Sequence, residues 1–215
     1  MYIEIKNYTK KIKDTMVLDH VSYRFEGGVV YGLKGKNGSG KTMLMRALCG
    51  LIQPTEGMVE INGKILGKDM SFPESVGVLI ENPAFLQNCT GYENLEILAD
   101  IQGKIKKEDI KQTLCDVGLD PEDSRKYGKY SLGMKQKLGI AAAVMEQPDI
   151  IILDEPINAI DEDGVKLIEK ILDREKKRGA IIITACHDTE ELNKLADQIV
   201  CISEGRLLKD VSMDS

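Results

Sequence analysis

Residues 35–42, Gly-Lys-Asn-Gly-Ser-Gly-Lys-Thr, constrain the fold of this chain more than any other segment. They follow VVYGLK, an apolar run typical of a buried strand, and they precede MLMRALCGL, whose apolar spacing predicts a helix. Glycine lets backbone N–H groups wrap an anion, because no Cβ blocks the approach and positive φ angles are allowed. The helix that follows directs its positive end to the same place. The segment therefore predicts a phosphate-binding loop between a strand and a helix.

The spacing of this loop matches the nucleotide-binding pattern G-x-x-x-x-G-K-[S/T] at every fixed position. We expect Lys41 to reach the β- and γ-phosphates and the Thr42 hydroxyl to ligate Mg²⁺. An ordinary glycine-rich turn is the alternative, and it gives no reason for the Lys-Thr ending. The predicted ATP contacts of the loop are Gly35, Asn37, Gly38, Ser39, Gly40, Lys41 and Thr42.

A pair of acids is predicted beside the loop, at the end of the apolar run IIILDEP, residues 150–156. Ligands of open α/β sheets bind at the carboxyl ends of the strands, so both carboxylates are expected to face the phosphates. We expect Asp154 to hold Mg²⁺ through water, and Glu155 to orient or deprotonate the attacking water. The alternative is that both acids are solvated loop residues without a function. The phosphate loop in the same chain makes this interpretation less favourable.

The order of the apolar patterns predicts an α/β fold with a mostly parallel sheet flanked by helices. Alternating apolar residues in MYIEIKNY and VSYRF predict an additional antiparallel β part at the N-terminus. Between them and the second half, GYENLEILADIQG and KEDIKQTLCDVGL read as helices separated by glycine and proline breaks. We therefore predict one domain over residues 1–215, in which 1–82 and 131–215 form the core and 83–130 form an inserted helical subdomain.

Composition narrows the possible partners. A net charge of −6 argues against a nucleic-acid partner, and the lysine-rich segment 6–13 is better explained as a solvated sheet edge. No apolar run approaches the roughly 18 residues of a membrane-spanning helix, so any membrane-spanning part is expected in a separate chain. The five scattered cysteines predict reduced cytosolic thiols and no disulfide framework.

The segment YSLGMKQKLGIA, residues 130–141, predicts a helix that begins at a serine cap shortly before the acidic strand. With the phosphate loop, this segment and the acidic strand in that order, the chain resembles the ATP-binding cassette (ABC) family over nearly its whole length. The resemblance implies that two cassettes pair head to tail, and that Ser131 and Gly133 of one act on the ATP held by the other. It also implies that Asp161, in INAID, lies in the loop that crosses between cassettes, and that His187, in TACHD, contacts the γ-phosphate.

The chain departs from the family pattern at Glu81 and Ile12, and at Leu132 and Met134 within the segment 130–141. Glu81 stands where the family usually has a glutamine that touches Mg²⁺, so it is expected to be a metal ligand. Ile12 stands, by spacing, where an adenine-stacking aromatic residue is usual, so we expect the adenine of ATP to pack on this aliphatic side chain. With a glutamate at position 81 and the sequence YSLGMKQ, the chain is similar to a bacterial subgroup of the family. This subgroup includes exporters and immunity transporters for peptide antibiotics such as lantibiotics and bacitracin.

The predicted function is that of an ATPase subunit with ATP and Mg²⁺, in which Glu155, His187 and Lys41 are catalytic. Its predicted partners are a membrane-spanning subunit and a second cassette chain, at the cytoplasmic face of the cell membrane. The alternative is a soluble ABC ATPase that acts on ribosomes or nucleic acid, although such members carry two cassettes or a long coiled coil. A GTPase would need an Asn-Lys-x-Asp base reader, and NKLAD at 193–197 is one residue too long. A small-molecule kinase is a further alternative, but this function would not explain the helix that begins in segment 130–141.

Overall fold

The computed structural model describes residues 1–186 and 188–208 of the chain. In chain order the strands are β1 (Tyr2–Ile12), β2 (Thr15–Glu26), β3 (Val29–Lys34), β4 (Glu56–Ile61), β5 (Lys64–Ile65), β6 (Val76–Leu79), β7 (Ile150–Asp154), β8 (Ile181–Ala185), β9 (Gln198–Ser203) and β10 (Arg206–Leu207). The helices are α1 (Lys41–Leu48), α2 (Gly91–Gln102), α3 (Lys107–Asp116), α4 (Leu132–Val144), α5 (Glu162–Arg178) and α6 (Thr189–Leu195). No helix in these ranges is both long enough and apolar enough to cross a membrane.

The larger sheet has the strand order β10-β9-β3-β8-β7-β6 and is parallel except at β10. Apolar clusters cover both of its faces, and residues 150–153 and 181–183 are fully buried between them. Burial on both faces explains why these strands are continuous apolar runs. The carboxyl ends of β3, β6, β7 and β8 meet at one edge, which brings the loops after them together. The predicted fold class is confirmed.

The smaller sheet is antiparallel, with the order β2-β1-β4-β5. Ile3, Ile5 and Tyr8 of β1 are buried against β3 and α1, while Lys6 on the other face pairs with Glu60 of β4 at 2.8 Å. The prediction that segment 6–13 forms a sheet edge was wrong for residues 6–9, because β4 pairs with β1 there on the side away from β2. Residues 10–12 have strand pairing with β2 alone. The hairpin of β4 and β5 was missed by the sequence analysis.

Residues 83–130 contain α2, α3 and a single 3-10 turn at Tyr127–Lys129. A capping box of Thr90 and Glu93 begins α2 and fixes its direction. The Tyr127 hydroxyl donates to the carbonyl of Pro83 at 2.6 Å, which ties the two ends of the segment together. Its apolar residues pack on α4 in the same cluster as the core. The limits of a helical subdomain at 83 and 130 stay a prediction.

Candidate nucleotide-binding site

The loop of residues 35–40 connects β3 to α1 and has the geometry of an anion cradle. Gly38 and Gly40 adopt φ angles of +76° and +113°, which side chains with a Cβ rarely tolerate. A Cβ on Gly35 would lie 2.3 Å from the carbonyl oxygen of Ile202, so only glycine fits there. The Ser39 hydroxyl is buried without a hydrogen-bond partner among the described residues. A phosphate oxygen would supply the missing partner, and the loop therefore fits a phosphate chain.

Positive charge converges on the same loop. The Lys41 ammonium is buried inside the curve of the loop, where it donates to the carbonyls of Gly35 at 2.7 Å and Lys36 at 3.4 Å. Helix α1 begins at Gly40 with no side-chain cap and no acidic residue in its first turn. Its N-terminal N–H groups and dipole are therefore left for an external anion.

An oxygen pair lies at the junction of α1 and β7. The Thr42 hydroxyl donates to Asp154 Oδ2 at 2.9 Å, across 112 residues of sequence. Hydroxyl and carboxylate oxygens are the ligands that Mg²⁺ takes when it also binds phosphates. This pair, together with the phosphate loop, fits a magnesium–nucleotide.

Glu155 is held by its backbone from two sides. Its N–H donates to the carbonyl of Ala185 at 2.9 Å, and its own carbonyl accepts from the Gln136 amide of α4 at 2.7 Å. Its φ angle of +51° turns the chain sharply at the end of β7 and places the residue in the wall of the cavity. Glu155 therefore shares the cavity wall with Thr42 and Asp154, and its role in activating water stays a prediction.

These groups surround one cavity of about 660 Å³. Two parts of its wall were missed by the sequence analysis, the start of β2 and the turn between β9 and β10. In that turn Gly205 donates its N–H to the Ser39 carbonyl at 2.8 Å, so the turn supports the phosphate loop. The cavity is lined by residues 15–17, 37–43, 154, 155, 204 and 205.

The segment that begins α4 lies outside this lining. Ser131 is exposed, and its hydroxyl caps α4 by accepting from the Met134 N–H at 3.2 Å. A Cβ on Gly133 would lie 2.5 Å from the Ala159 carbonyl, so α4 touches the loop after β7 at this glycine. Asp161 caps α5 and lies 3.5 Å from the ammonium of Lys137 on α4. One chain thus presents two separate anion-type positions, the phosphate loop and the start of α4, and the start of α4 does not line the cavity beside the phosphate loop.

Two further predicted residues lie outside the cavity wall. Glu81 does not line the cavity, and its carboxylate forms an ion pair with Arg46 of α1. Ile12 lies at the end of β1 and is not in the cavity wall, whereas Met16, across the hairpin, is in the wall and partly exposed. The roles given to Glu81 and Ile12 stay predictions. His187 lies outside the described residues.

Residues 18–158, more than half of the chain, match the model of the family described as ABC transporter. An uncharacterized ABC transporter ATP-binding protein, YybJ of Bacillus subtilis, is 53% identical over 95% of this chain and 94% of its own length. The bacitracin transport ATP-binding protein BcrA of Enterococcus faecalis is 39% identical over 98% of this chain and 69% of its own length. The lantibiotic transport ATP-binding protein SrtF of Streptococcus pyogenes is 33% identical over 99% of this chain and 91% of its own length.

Solved structures share the fold. The ATP-binding subunit of an ABC transporter superposes with a TM-score of 0.88 at 25% identity, over 100% of this chain and 91% of that one. An ATP-binding cassette solved as a dimer in a post-hydrolysis state with ADP and Pi superposes with a TM-score of 0.86 at 21% identity, over 99% of both chains.

Proposed function

The chain belongs to the ABC transporter family as an ATPase subunit, and we propose that two copies of the cassette face each other head to tail and close over ATP. Each ATP would lie between the phosphate loop of one copy and the first turn of α4 of the other. Either two copies of this chain or this chain and a related cassette would satisfy the arrangement.

The observation that carries this proposal is the separation of the two anion-type positions within one chain. The cavity beside the phosphate loop has no wall from Ser131 or Gly133, and those residues lie at an exposed helix start without acidic residues in the first turn. Such a helix start favours an anion that another molecule presents. A facing copy supplies one.

The residues of one cavity have separate roles in binding the phosphates, holding the metal and activating water. Lys41 and the N–H groups of the loop bind the β- and γ-phosphates, and Thr42 with Asp154 holds the metal. Mg²⁺, when bound, offsets the negative charge of the phosphates. Glu155, held by its two backbone hydrogen bonds, orients the attacking water and accepts its proton. His187 is proposed to contact the γ-phosphate after β8.

The facing copy completes the site. Ser131 and the N–H of Gly133 would donate to the γ-phosphate, and Asp161 would stand at the crossing between copies. Hydrogen bonds to charged groups contribute about 1.5–3 kcal/mol each, so a γ-phosphate that bridges two chains favours the closed pair. Loss of that phosphate removes the bridge, and the pair opens.

We propose that this cycle drives a separate membrane-spanning subunit, with the chain at the cytoplasmic face of the membrane. Residues 83–130 would carry the docking surface, and residues 81–83 would form the hinge. Relatives named for bacitracin and lantibiotic transport favour a peptide antibiotic or a similar compound as the cargo. Action on ribosomes or nucleic acid is the competing function, and co-purification with ribosomes in place of a membrane protein would favour it.

The test is a Glu155→Gln variant mixed with ATP and Mg²⁺. Without the carboxylate, the water is not activated, so ATP should stay bound and the closed pair should accumulate. Size-exclusion chromatography with light scattering should show a dimer, and the dimer should retain nucleotide.

Two controls sharpen the result. Glu108→Gln removes an exposed acid of α3 and should hydrolyse ATP normally without trapping a dimer. Adding Ser131→Arg to Glu155→Gln should leave a monomer that still binds ATP, because the phosphate loop is intact. A Glu155→Gln protein that stays strictly monomeric and free of nucleotide would contradict the proposal.

A further inference from the structure

Arg46 joins α1, the helix after the phosphate loop, to the loop after β6. It lies in the last turn of α1, and its guanidinium pairs with the carboxylate of Glu81. The Glu81 side chain is 64% exposed and that of Arg46 is 34% exposed. An exposed pair is held weakly, so another cation can take the carboxylate from it.

Helix α1 places Arg46 close to the Thr42 hydroxyl and the Asp154 carboxylate, the two groups that fit a metal ion. Thr42 and Arg46 are four residues apart in α1, and side chains at this spacing lie on one helix face about 5–6 Å apart at Cβ. Thr42 contacts Asp154, and Arg46 contacts Glu81. Two acids from neighbouring strands are therefore bound one above the other on the same face of α1.

The sheet brings the two acids close as well. Leu79 of β6 pairs with Leu153 of β7 in parallel register, so Glu81 follows that pair by two residues and Asp154 follows it by one. Neighbouring strands are about 4.8 Å apart, within the reach of a glutamate side chain. Glu81 adopts a φ angle of +65° after the end of β6, and its carboxylate contacts Arg46, while the residue does not line the cavity.

We infer that Arg46 is a positioning residue that holds the Glu81 carboxylate outside the cavity, so that a divalent cation at Thr42 and Asp154 must compete with Arg46 for it. The inference rests on the proposed function, because it needs a nucleotide–metal in the cavity. When Arg46 holds Glu81, one fewer oxygen is available to the cation, and one fewer negative charge stands beside the phosphates. Transfer of Glu81 to the cation would free Arg46 and move the loop at 81–83.

The test measures binding instead of turnover. A fluorescent, non-hydrolysable ATP analogue is titrated onto the full chain at increasing free Mg²⁺, for the unmodified protein, Arg46→Gln, Glu81→Gln and the double variant. Arg46→Gln should lower the Mg²⁺ concentration for half-maximal binding about two- to fivefold, because Glu81 no longer has a competing partner. The same substitution in the Glu81→Gln background should cause no shift, and binding without Mg²⁺ should be equal for the unmodified protein and Arg46→Gln.

A general charge effect is separated from this one by two comparisons. Lys64→Gln removes the same charge from an exposed pair with Glu74 that is not part of the cavity, and it should leave the Mg²⁺ requirement unchanged. An equal shift from Arg46→Gln with and without Glu81, or no shift at all, would overturn the inference while leaving the proposed function intact. An unmodified chain that does not bind the analogue at any Mg²⁺ concentration would overturn both.

Discussion

The side-chain amide of Gln136 donates a hydrogen bond to the backbone carbonyl of Glu155 at 2.7 Å. Gln136 is buried in α4, one turn after the exposed helix start at Ser131, and Glu155 lies in the wall of the nucleotide cavity. The bond thus joins the part of the chain that would face another cassette to the residue that would activate water. Through this bond, we expect a displacement of α4 to move the backbone of Glu155.

Replacing Gln136 by methionine should test this connection, since methionine has a similar length but no N–H donor. We expect a loss of about 1–3 kcal/mol in the free energy of unfolding, because the carbonyl of Glu155 is left without its partner. The turnover number should fall about tenfold while ATP affinity changes little, as the phosphate loop is untouched. Denaturant unfolding and steady-state ATPase kinetics measure both effects. Gln112→Met, on the exposed face of α3, should change neither, and normal turnover by Gln136→Met would contradict the role.

The sequence was sufficient to predict the elements whose residues are neighbours in the chain. The phosphate loop, the serine cap of α4 and the acidic end of β7 each follow from local spacing and burial pattern. Gly179, which ends α5 at a φ angle of +95°, is another feature determined by the local sequence. Local geometry decides these features, so one sequence reveals them.

Contacts between distant segments were not predictable in the same way. The support of the phosphate loop by Gly205, the pair of Arg46 and Glu81, and the inner position of β1 all depend on strand order and register. The hairpin of β4 and β5 had a local signal that was overlooked, Asn62-Gly63, a dipeptide typical of tight hairpins, with φ angles of +48° and +85°. Recognising it would have predicted this hairpin, whereas the pairing of β4 with β1 is a contact between distant segments.

The hydroxyl of Thr42 should be needed for the effect of Mg²⁺ on nucleotide binding. Thr42→Ala removes one oxygen of the pair with Asp154, so we expect Mg²⁺-dependent binding of a fluorescent ATP analogue to weaken about tenfold or more. Binding in the presence of a chelator should change little. Thr42→Ser keeps the hydroxyl and should behave like the unmodified protein. Equal Mg²⁺ dependence in the alanine and serine variants would contradict the assignment.

The cysteines provide a test of the fold that does not depend on nucleotide. Burial raises the pKa of the Cys49 and Cys186 thiols to about 12, whereas Cys115 is exposed. A thiol of pKa 12 has about one thiolate in ten thousand at pH 8, and the surrounding residues also block the reagent. Brief maleimide labelling of the native protein, read by mass spectrometry, should modify Cys115 and spare the two buried thiols. In strong denaturant all three should react. Native labelling of Cys186 as fast as Cys115 would show that β8 and its surroundings are wrongly placed.

A methyl group on Gly133 should separate the α4 start from the loop after β7. The Cβ of a Gly133→Ala variant would meet the carbonyl oxygen of Ala159 at 2.5 Å, and backbone atoms give way less easily than the end of a side chain. Overpacking of this kind costs about 1–3 kcal/mol, and the loop that carries Asp161 should shift to relieve it. The melting temperature should therefore fall by several degrees, since about 1 kcal/mol lowers it by roughly 2–4 °C in a chain of this size.

The same variant bears on the pairing of cassettes. In the Glu155→Gln background, Gly133→Ala should abolish the ATP-dependent dimer in light scattering, while the monomer still binds the fluorescent analogue through its own phosphate loop. Gly128→Ala is the matched control, because its Cβ would lie 3.2 Å from the Gln87 side chain and 3.3 Å from the Gln87 carbonyl oxygen, both farther than the 2.5 Å contact at Gly133, and its backbone needs no positive φ angle. It should dimerise normally. Normal dimerisation by Gly133→Ala at unchanged stability would mean that the close contact with Ala159 is required neither for stability nor for the pairing of cassettes.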